Sequence, residues 1–369
     1  MADADSGGKQ SAETPATAGI SIKKRISGAS KPMEVEKYSR QILFSAIGLE
    51  GQRKIMASKV VIAGCGALGT VQAAMLARAG AGKLRIVDRD YVEENNLPRQ
   101  LLFEESDAAE RLPKAVAAER RLRLANRDVR VEGIVADLES RNAEEILNGF
   151  DVILDGTDNF ETRYLLNDVA IKLGIPWIYG AVVGSYAVTM TVLPGRTPCI
   201  ACVFPEPPGG VQETCDTSGV IAPAVAWAAS IQVTEAFKIL MGREEELHGS
   251  LLAYDIWKGA LQRIKPRRNP NCPACVNYRF DYLNASAPSA VSLCGRDAFQ
   301  IRPAYSRALD LEALKIQLDG LGVLRGNDYL VHFQAGSRQM TVFKDGRAII
   351  TGVEDAAAAR SLYARYVGS

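Results

Sequence analysis

Two cations and one acid in this 369-residue chain point to phosphate chemistry. Arg99 lies in Asn96-Leu-Pro-Arg99-Gln100, Lys114 in the next helical segment, and Asp158-Asn159 just after a strand ending at Asp155. A dinucleotide dehydrogenase has little need for two cations at that edge of a sheet. An enzyme that binds a triphosphate and expels pyrophosphate does, because charge builds on the phosphates in the transition state. Asp158 can hold Mg²⁺ among phosphate oxygens, since that ion takes one or two carboxylates plus phosphate. Asp155 either serves the same ion or caps the following helix. Taken singly, Arg99 and Lys114 read as solvated groups, Asp158 as a helix cap and Asn96 as a turn residue. Their order and their placement at element ends favour the joint reading.

The loop that would cradle the phosphates is Gly64-Cys-Gly66-Ala67-Leu-Gly69. It follows an apolar, β-branched run and opens a helical pattern. Its glycines permit a tight turn and close backbone approach to phosphate, and helix N-terminal N–H groups favour anions. Asp88, 24 residues after Gly64, ends the next strand and can accept from ribose hydroxyls. The glycines alone do not separate NAD from ATP. An NAD-dependent oxidoreductase explains Gly64 to Asp88 but leaves Arg99, Lys114 and Asp158 without a task. A catalytically silent binding module would have no use for the same polar set.

Cysteines supply a second kind of chemistry. Cys199-x-x-Cys202 and Cys272-x-x-Cys275, with 69 residues between the pairs, read as a tetrahedral Cys₄ zinc site. Four thiolates close the coordination shell, so the zinc is expected to be structural. A redox disulfide in either pair is the competing reading. Cys215, in a Pro/Gly-rich stretch, could attack an activated carboxyl as a thiolate, or be an ordinary loop cysteine. Cys65 reads as small packing, and Cys294 has no partner in view.

The elements that must position these groups alternate β-α-β-α. Helical pieces run from Tyr38 to Met56. Strands are expected at Lys59–Ala63, Lys83–Val87, Val129–Val135, Asp151–Asp155 and Pro176–Tyr179, with helices at Ala67–Ala79, Ala108–Ala125 and up to Leu173. That pattern implies a parallel sheet covered on both faces. Runs at 185–193 and 250–264 look antiparallel, with a long helix at about 220–241 between them. Residues 1–36 read as a disordered tail, 37–283 as the ATP-binding domain with the Cys₄ site, 284–292 as a linker, and 293–369 as a small α+β domain. Within the last, a helix is expected at Leu311–Leu321, strands at 328–334, 339–343 and 347–351 with Asp345-Gly346 as a hairpin turn, and a helix at Ala356–Tyr366. The fold class is therefore α/β: a Rossmann-like parallel sheet continuing into antiparallel strands, with a small α+β C-terminal domain.

Lys plus Arg is 44 and Asp plus Glu is 43, a net charge of +1, which argues against a nucleic-acid protein relying on a global basic field. With only two His, a His-rich metal centre is not expected. The apolar stretch from Gly219 to Phe237 carries polar residues and reads as a buried helix rather than a membrane span. Seven Cys with two Cys-x-x-Cys pairs fit a reducing compartment, so the expected location is the cytoplasm.

At this point the chain resembles the ThiF/MoeB/HesA group of ubiquitin-activating-like adenylyltransferases. The resemblance rests on Tyr38-Ser-Arg40-Gln, Gly64-x-Gly66-x-x-Gly69, Asp88-x-Asp90, Asn96-Leu-x-Arg99-Gln, Lys114, Asp155-Gly-Thr-Asp158-Asn159, the paired Cys motifs, and Cys215 before Gly-Val-Ile-Ala-Pro. It covers about residues 37–282. It implies that ATP and Mg²⁺ activate the C-terminal glycine carboxylate of a ubiquitin-like sulfur carrier ending in Gly-Gly. The carrier is expected to be that of thiamine (thiazole) biosynthesis, or else the small subunit of molybdopterin synthase. The resemblance further implies a homodimer in which Arg40 reaches the other subunit's phosphates. Asp88 would bind the ribose, Arg99 and Lys114 the phosphates, and Asp158 the metal. Gly64, Gly66, Ala67, Asn96 and Asn159 complete the nucleotide set, and Cys215 is the family's loop cysteine. A cysteine desulfurase or other sulfur donor is an implied partner. The carrier's extended tail implies a channel walled by the antiparallel region near 179–193 and 250–257, with Val182, Tyr186, Tyr254 and Trp257 as carrier contacts or, for most of them, as core. Ala67 stands where many relatives have Gly, and Pro98 where they often have Gln. Residues from Leu293 onward resemble the C-terminal extension of some thiamine-branch bacterial members, which either docks the carrier or covers the catalytic domain.

Overall fold

The structure, a computed structural model, describes residues 33–207, 215–285, 290–293, 298–302 and 308–368. Helices α1 (Met33–Glu36), α2 (Ser39–Leu43) and α3 (Gly48–Ala57) precede β1 (Lys59–Ala63). Alternation follows: α4 (Ala67–Ala79), β2 (Lys83–Asp88), α5 (Glu105–Ala109), α6 (Lys114–Ala125), β3 (Arg130–Val135), α7 (Ala143–Leu147), β4 (Val152–Asp155), α8 (Phe160–Leu173) and β5 (Trp177–Val183). Next come β6 (Tyr186–Val192), α9 (Ile200–Val203), α10 (Cys215–Ser218), α11 (Ala222–Met241), β7 (Leu251–Asp255) and β8 (Ala260–Ile264).

These strands form one eight-stranded sheet in the order β3-β2-β1-β4-β5-β6-β7-β8. The first five are parallel, and β5 through β8 are antiparallel. Side chains on the central strands are buried on both faces. Val60, Ile62, Val152 and Leu154 point into one core with Leu76 and Leu122. Val61, Ala63 and Ile153 point into the other with Leu166 and Trp177. Strand order runs outward from β1 in both directions, so the loops after β1 and β4 diverge and leave a crevice at the carboxyl ends of the strands.

Helix α11 is long and apolar enough to cross a bilayer. Here it packs in the core, and its Gln232 is fully buried. That amide donates to the carbonyls of Asp155 (3.0 Å) and Ile178 (3.1 Å) and accepts from Gln72 of α4 (2.6 Å). A buried amide with such partners fixes α4 and α11 against the ends of β4 and β5.

A second sheet, of six strands, contains β9 (Ala290–Leu293), β10 (Ala298–Ile301), β11 (Val323–Gly326), β12 (Leu330–Ala335), β13 (Arg338–Phe343) and β14 (Ala348–Thr351), in the order β11-β12-β13-β14-β10-β9. Helices α12 (Leu311–Leu318) and α13 (Ala356–Tyr366) cover one face, over Val331, Phe333, Met340, Val342 and Ile350. Asp345-Gly346 makes the β13–β14 turn, with Gly346 at φ 87°.

Several expectations change. The helix expected over Ala108–Ala125 is two helices. Pro113 lacks an N–H and disfavours helix at the residue before it, so the chain breaks there and α6 starts at Lys114. Helix α1 lies inside the segment read as tail, with Val35 buried. Strand β9 begins inside the segment read as linker. Strands β9, β10 and β11, four residues each, were not expected.

Candidate functional site

The turn after β1 shows two different uses of glycine. Gly64 has φ 92°, and a Cβ there would lie 2.5 Å from the Gly156 carbonyl oxygen. A Cβ on Gly69 would lie 2.0 Å from the Gly64 carbonyl oxygen. Both glycines let the β1 turn, the β4 loop and α4 close on one another. Gly66 packs against nothing. The nearest atom to a Cβ there is Gln100 Nε2 at 3.9 Å, so the space beside the first turn of α4 is open. The first N–H groups of a helix have no intrahelical acceptor and suit an anion in such a space. Gln100 is buried and its Oε1 has no hydrogen-bond partner among the described residues, a further polar atom suited to a ligand.

Asp88 braces this turn. Its carboxylate accepts from the backbone N–H of Cys65 (2.6 Å) and of Asp90 (2.7 Å). Burial raises its pKa, opposed by the ammonium of Lys114. Carboxylate oxygens have further lone pairs, so Asp88 can still accept from a hydroxyl. The Cys65 thiol is buried, with a raised pKa from burial, as expected of packing. Lys114 is 3% exposed, its N–H donates to the Asp90 carbonyl (2.9 Å), and its Nζ lies 3.5 Å from the Asp90 carboxylate. The solvated reading of Lys114 therefore fails. A buried ammonium beside two acids is held there.

Arg99 is half-buried and donates from Nη1 to the Asn95 carbonyl at 2.5 Å. Asn96 is buried, accepts from the Glu93 N–H (3.2 Å) and caps the short turn Glu94–Asn96. Ala67 is the first residue of α4. Beyond β4, Asn159 rather than Asp158 caps α8, accepting from the Thr162 N–H at 2.8 Å. Asp158 is exposed beside it. Asp155 neither caps the helix nor reaches the crevice, which corrects both readings of it. It is fully buried, accepting from Arg163 Nε (3.3 Å), the Thr157 hydroxyl (2.7 Å) and the Gly180 N–H (3.3 Å). With all these donors it ties α8 to β5.

Arg40 stands apart. Helix α2 is anchored where α4 ends, through Gln41 to the Ala79 carbonyl (3.2 Å), and Tyr38 packs on Gly80. Thirteen residues of α4 separate that end from Gly66, roughly 20 Å at 1.5 Å per residue. Arg40 is exposed, and Leu43 and Phe44 next to it are 55% and 61% exposed.

The four paired cysteines meet. Their sulfurs all lie within 4.8 Å of one another, with Sγ–Sγ distances of 3.9 Å (Cys199–Cys202), 3.6 Å (Cys199–Cys272) and 3.4 Å (Cys202–Cys275). A tetrahedron of Zn–S bonds near 2.3 Å has edges of about 3.8 Å, so the set fits zinc and not a disulfide. Cys202 is held low, at about 4, by the Cys199 thiol and by the Asn269 N–H at 3.4 Å. Hydrogen bonding to Cys202 and burial push Cys199 up, and burial brings Cys272 to about 11. Four thiols this close ionise together only around a cation.

The backbone of Cys215 opens α10, and Gly219 just beyond it accepts from the Gly184 N–H at 2.8 Å, at the carboxyl end of β5. The Cys215 thiol and Cys294 lie outside the described residues. Of the four expected channel contacts, Val182 is buried, Tyr254 packs on Trp227 with ring centroids 4.9 Å apart, and Tyr186 and Trp257 are 43% and 82% exposed.

Sequence reasoning missed Arg89. It sits between Asp88 and Asp90, a context that reads as a solvated loop. In the fold its pKa is raised by Asp137, Asp90, Asp158 and Asp88 against the effect of burial. Arg163 was missed too, although its place eight residues after Asp155, one turn into a helix, was a usable signal.

Comparison with known proteins agrees with this geometry. A family model described as the ThiF family matches residues 38–274. The chain is 46% identical over 337 residues to the sulfur carrier protein ThiS adenylyltransferase of Bacillus subtilis, covering 90% of this chain and 99% of the relative. It is 40% identical over 248 residues to the sulfur carrier protein adenylyltransferase of Thermus thermophilus, covering 66% and 91%. A crystal structure of E. coli MccB with MccA-N7isoASN shares the fold at TM-score 0.59 and 24% identity, covering 68% of this chain and 76% of that one. With a matching family model over most of its length and a relative aligned almost end to end, the chain belongs to the ThiF family.

Proposed function

We propose that this chain is an adenylyltransferase that uses ATP to activate the C-terminal glycine carboxylate of a ubiquitin-like sulfur carrier, preparing it for thiocarboxylate formation in the thiazole branch of thiamine biosynthesis. The observation that carries this is the open cradle at Gly66, flanked by the buried cation Lys114 and by Asp88. The name of the Bacillus subtilis relative supports the choice of carrier.

A carboxylate is a poor electrophile, and it repels a triphosphate. Arg99, Lys114 and Arg40 of the partner subunit lower that repulsion, so the carboxylate oxygen attacks the α-phosphorus and pyrophosphate leaves. The attacking oxygen is already ionised and needs no general base. Asp88 orients the ribose, with Gly64, Gly66, Ala67, Asn96 and Asn159 lining the nucleotide. Asp158, exposed and not used as a cap, fits a Mg²⁺ ligand, and that ion would supply charge among the phosphates. The distance from α2 to the cradle and the exposed Leu43 and Phe44 support a homodimer. Exposed Tyr186 and Trp257 support a carrier-docking face on the antiparallel strands. Cys215 is the proposed thiol for the subsequent sulfur step, with a cysteine desulfurase or similar donor as the source. In this reading residues 37–283 are the catalytic domain and 293–369 the C-terminal domain, the Cys₄ set holds structural zinc, and the enzyme works in the cytoplasm.

The test is mass spectrometry of candidate Gly-Gly carriers incubated with the enzyme, ATP and Mg²⁺. An adenylate mass on the thiamine-branch carrier is expected. Modification only of the molybdopterin-synthase small subunit would move the pathway, and binding of NAD instead of ATP would end the reading.

A further inference from the structure

The six-stranded sheet has a second buried face, opposite its helices. On β10 the alternation is clean: Phe299 and Ile301 turn to α12 and α13, while Ala298 and Gln300 turn the other way. That face meets the eight-stranded sheet beside the nucleotide crevice. Phe343 packs on Tyr91, ring centroids 6.4 Å apart, in a cluster with Ala298, Leu330 and Ile349. Tyr91 directly follows Asp90.

Charge crosses the same boundary. Asp137, two residues past β3, is 6% exposed. It accepts from Gln300 Nε2 (2.6 Å) and Arg302 Nε (2.9 Å) on one side and from Arg89 Nη1 (3.3 Å) on the other. Burial would raise its pKa, but Arg89, Arg302 and Arg347 outweigh burial and hold it below the ordinary carboxylate range. Asp137 is therefore an anion shared by the two sheets. Arg89 is the residue between Asp88, which braces the phosphate turn, and Asp90, which pairs with Lys114.

We propose that the C-terminal unit is a working part of the nucleotide site: Gln300 and Arg302 fix Asp137, Asp137 fixes Arg89, and Arg89 holds the Asp88–Asp90 turn for ATP. Arg302 is a positioning residue in this scheme, and it does not touch the nucleotide. The inference rests on the reading of the crevice as an ATP site.

Full-length protein is titrated with ATP and Mg²⁺ by calorimetry, which needs no carrier. Wild type that fails to bind ATP would refute the site reading itself. If wild type binds, Arg302→Ala is expected to weaken ATP about tenfold, which is about 1.4 kcal/mol. Arg302→Lys keeps the charge but loses the forked geometry, and is expected to fall between the two. A double-mutant cycle separates positioning from general loss of fold. Arg89→Lys and Arg302→Lys are expected to be non-additive in ATP affinity, because both act through Asp137. Additive losses, or wild-type affinity in Arg302→Ala, would overturn the proposal. So would a loss of affinity that only follows a fall in melting temperature across the variants.

Discussion

Gly66→Ala and Gly69→Ala should fail in opposite ways. At position 66 a methyl group would meet no protein atom closer than 3.9 Å, but the backbone at φ −84° and ψ −144° lies outside the regions alanine favours. That strain costs the fold about 1–3 kcal/mol. The methyl also occupies the space proposed for phosphate. Overfilling a close-fitting site costs about 1–3 kcal/mol, so ATP should bind about 5- to 150-fold more weakly. At position 69 the methyl would stand 2.0 Å from a backbone oxygen that cannot swing away. The gain in helix propensity, about 1 kcal/mol, does not offset that clash. Gly69→Ala should melt well below wild type. Thermal denaturation and ATP titration of both variants decide the matter. Wild-type ATP affinity in Gly66→Ala would refute the cradle, and equal losses of stability at both positions would refute the distinction between them.

Other outcomes follow from the same geometry. Arg99→Ala and Asp158→Ala should each lower carrier-dependent ATP–pyrophosphate exchange by about 10²–10³-fold while the melting temperature holds, and near-normal exchange in both would remove them from the site. Purified protein should carry about one zinc per chain by elemental analysis, and Cys272→Ser should lose the metal and melt earlier. Asp168 is 3% exposed, and burial raises its pKa to about 6 against acceptance from the Tyr282 and Leu283 N–H groups. The folded state thus binds this proton more tightly than the unfolded chain, so stability falls as pH rises from about 4 to about 6 and the penalty is complete above that. Asp168→Asn should raise the melting temperature at pH 8 by roughly 2–4 °C, the effect of about 1 kcal/mol after allowance for solvent, and should change little at pH 3.5. A stabilising effect that persists undiminished at pH 3.5 would contradict this account.

Much of the catalytic sheet was legible because its strands are short apolar runs between glycine turns. Helix α4 is expected and found at the same bounds, Ala67–Ala79, since a glycine turn opens it and Gly80 ends it in the left-handed conformation. The Cys₄ set was legible because metal-ligand spacing survives any intervening fold. Asp155 was misread because its meaning depends on Arg163 and Gly180, which only tertiary structure brings to it. Arg89 and Asp137 were invisible for the same reason: Arg89 meets Asp137 across 48 residues, and Asp137 meets Gln300 and Arg302 across more than 160. In the C-terminal unit β9, β10 and β11 carry too few alternations for a period to emerge, while longer β12, β13 and α13 were found, and short β14 was legible because Asp345-Gly346 marks the turn before it.

The cysteine cluster also sets an order of events on the ribosome. Cys202 emerges 70 residues before Cys272. At about 5–20 residues per second, roughly 4–14 s pass with half of the thiols made and the other half not yet synthesised. During that interval neither pair can complete a four-sulfur shell, so capture of the proposed zinc is a late step of biogenesis. On that proposal a cell short of zinc, or oxidised, would injure newly made chains before it harmed finished ones.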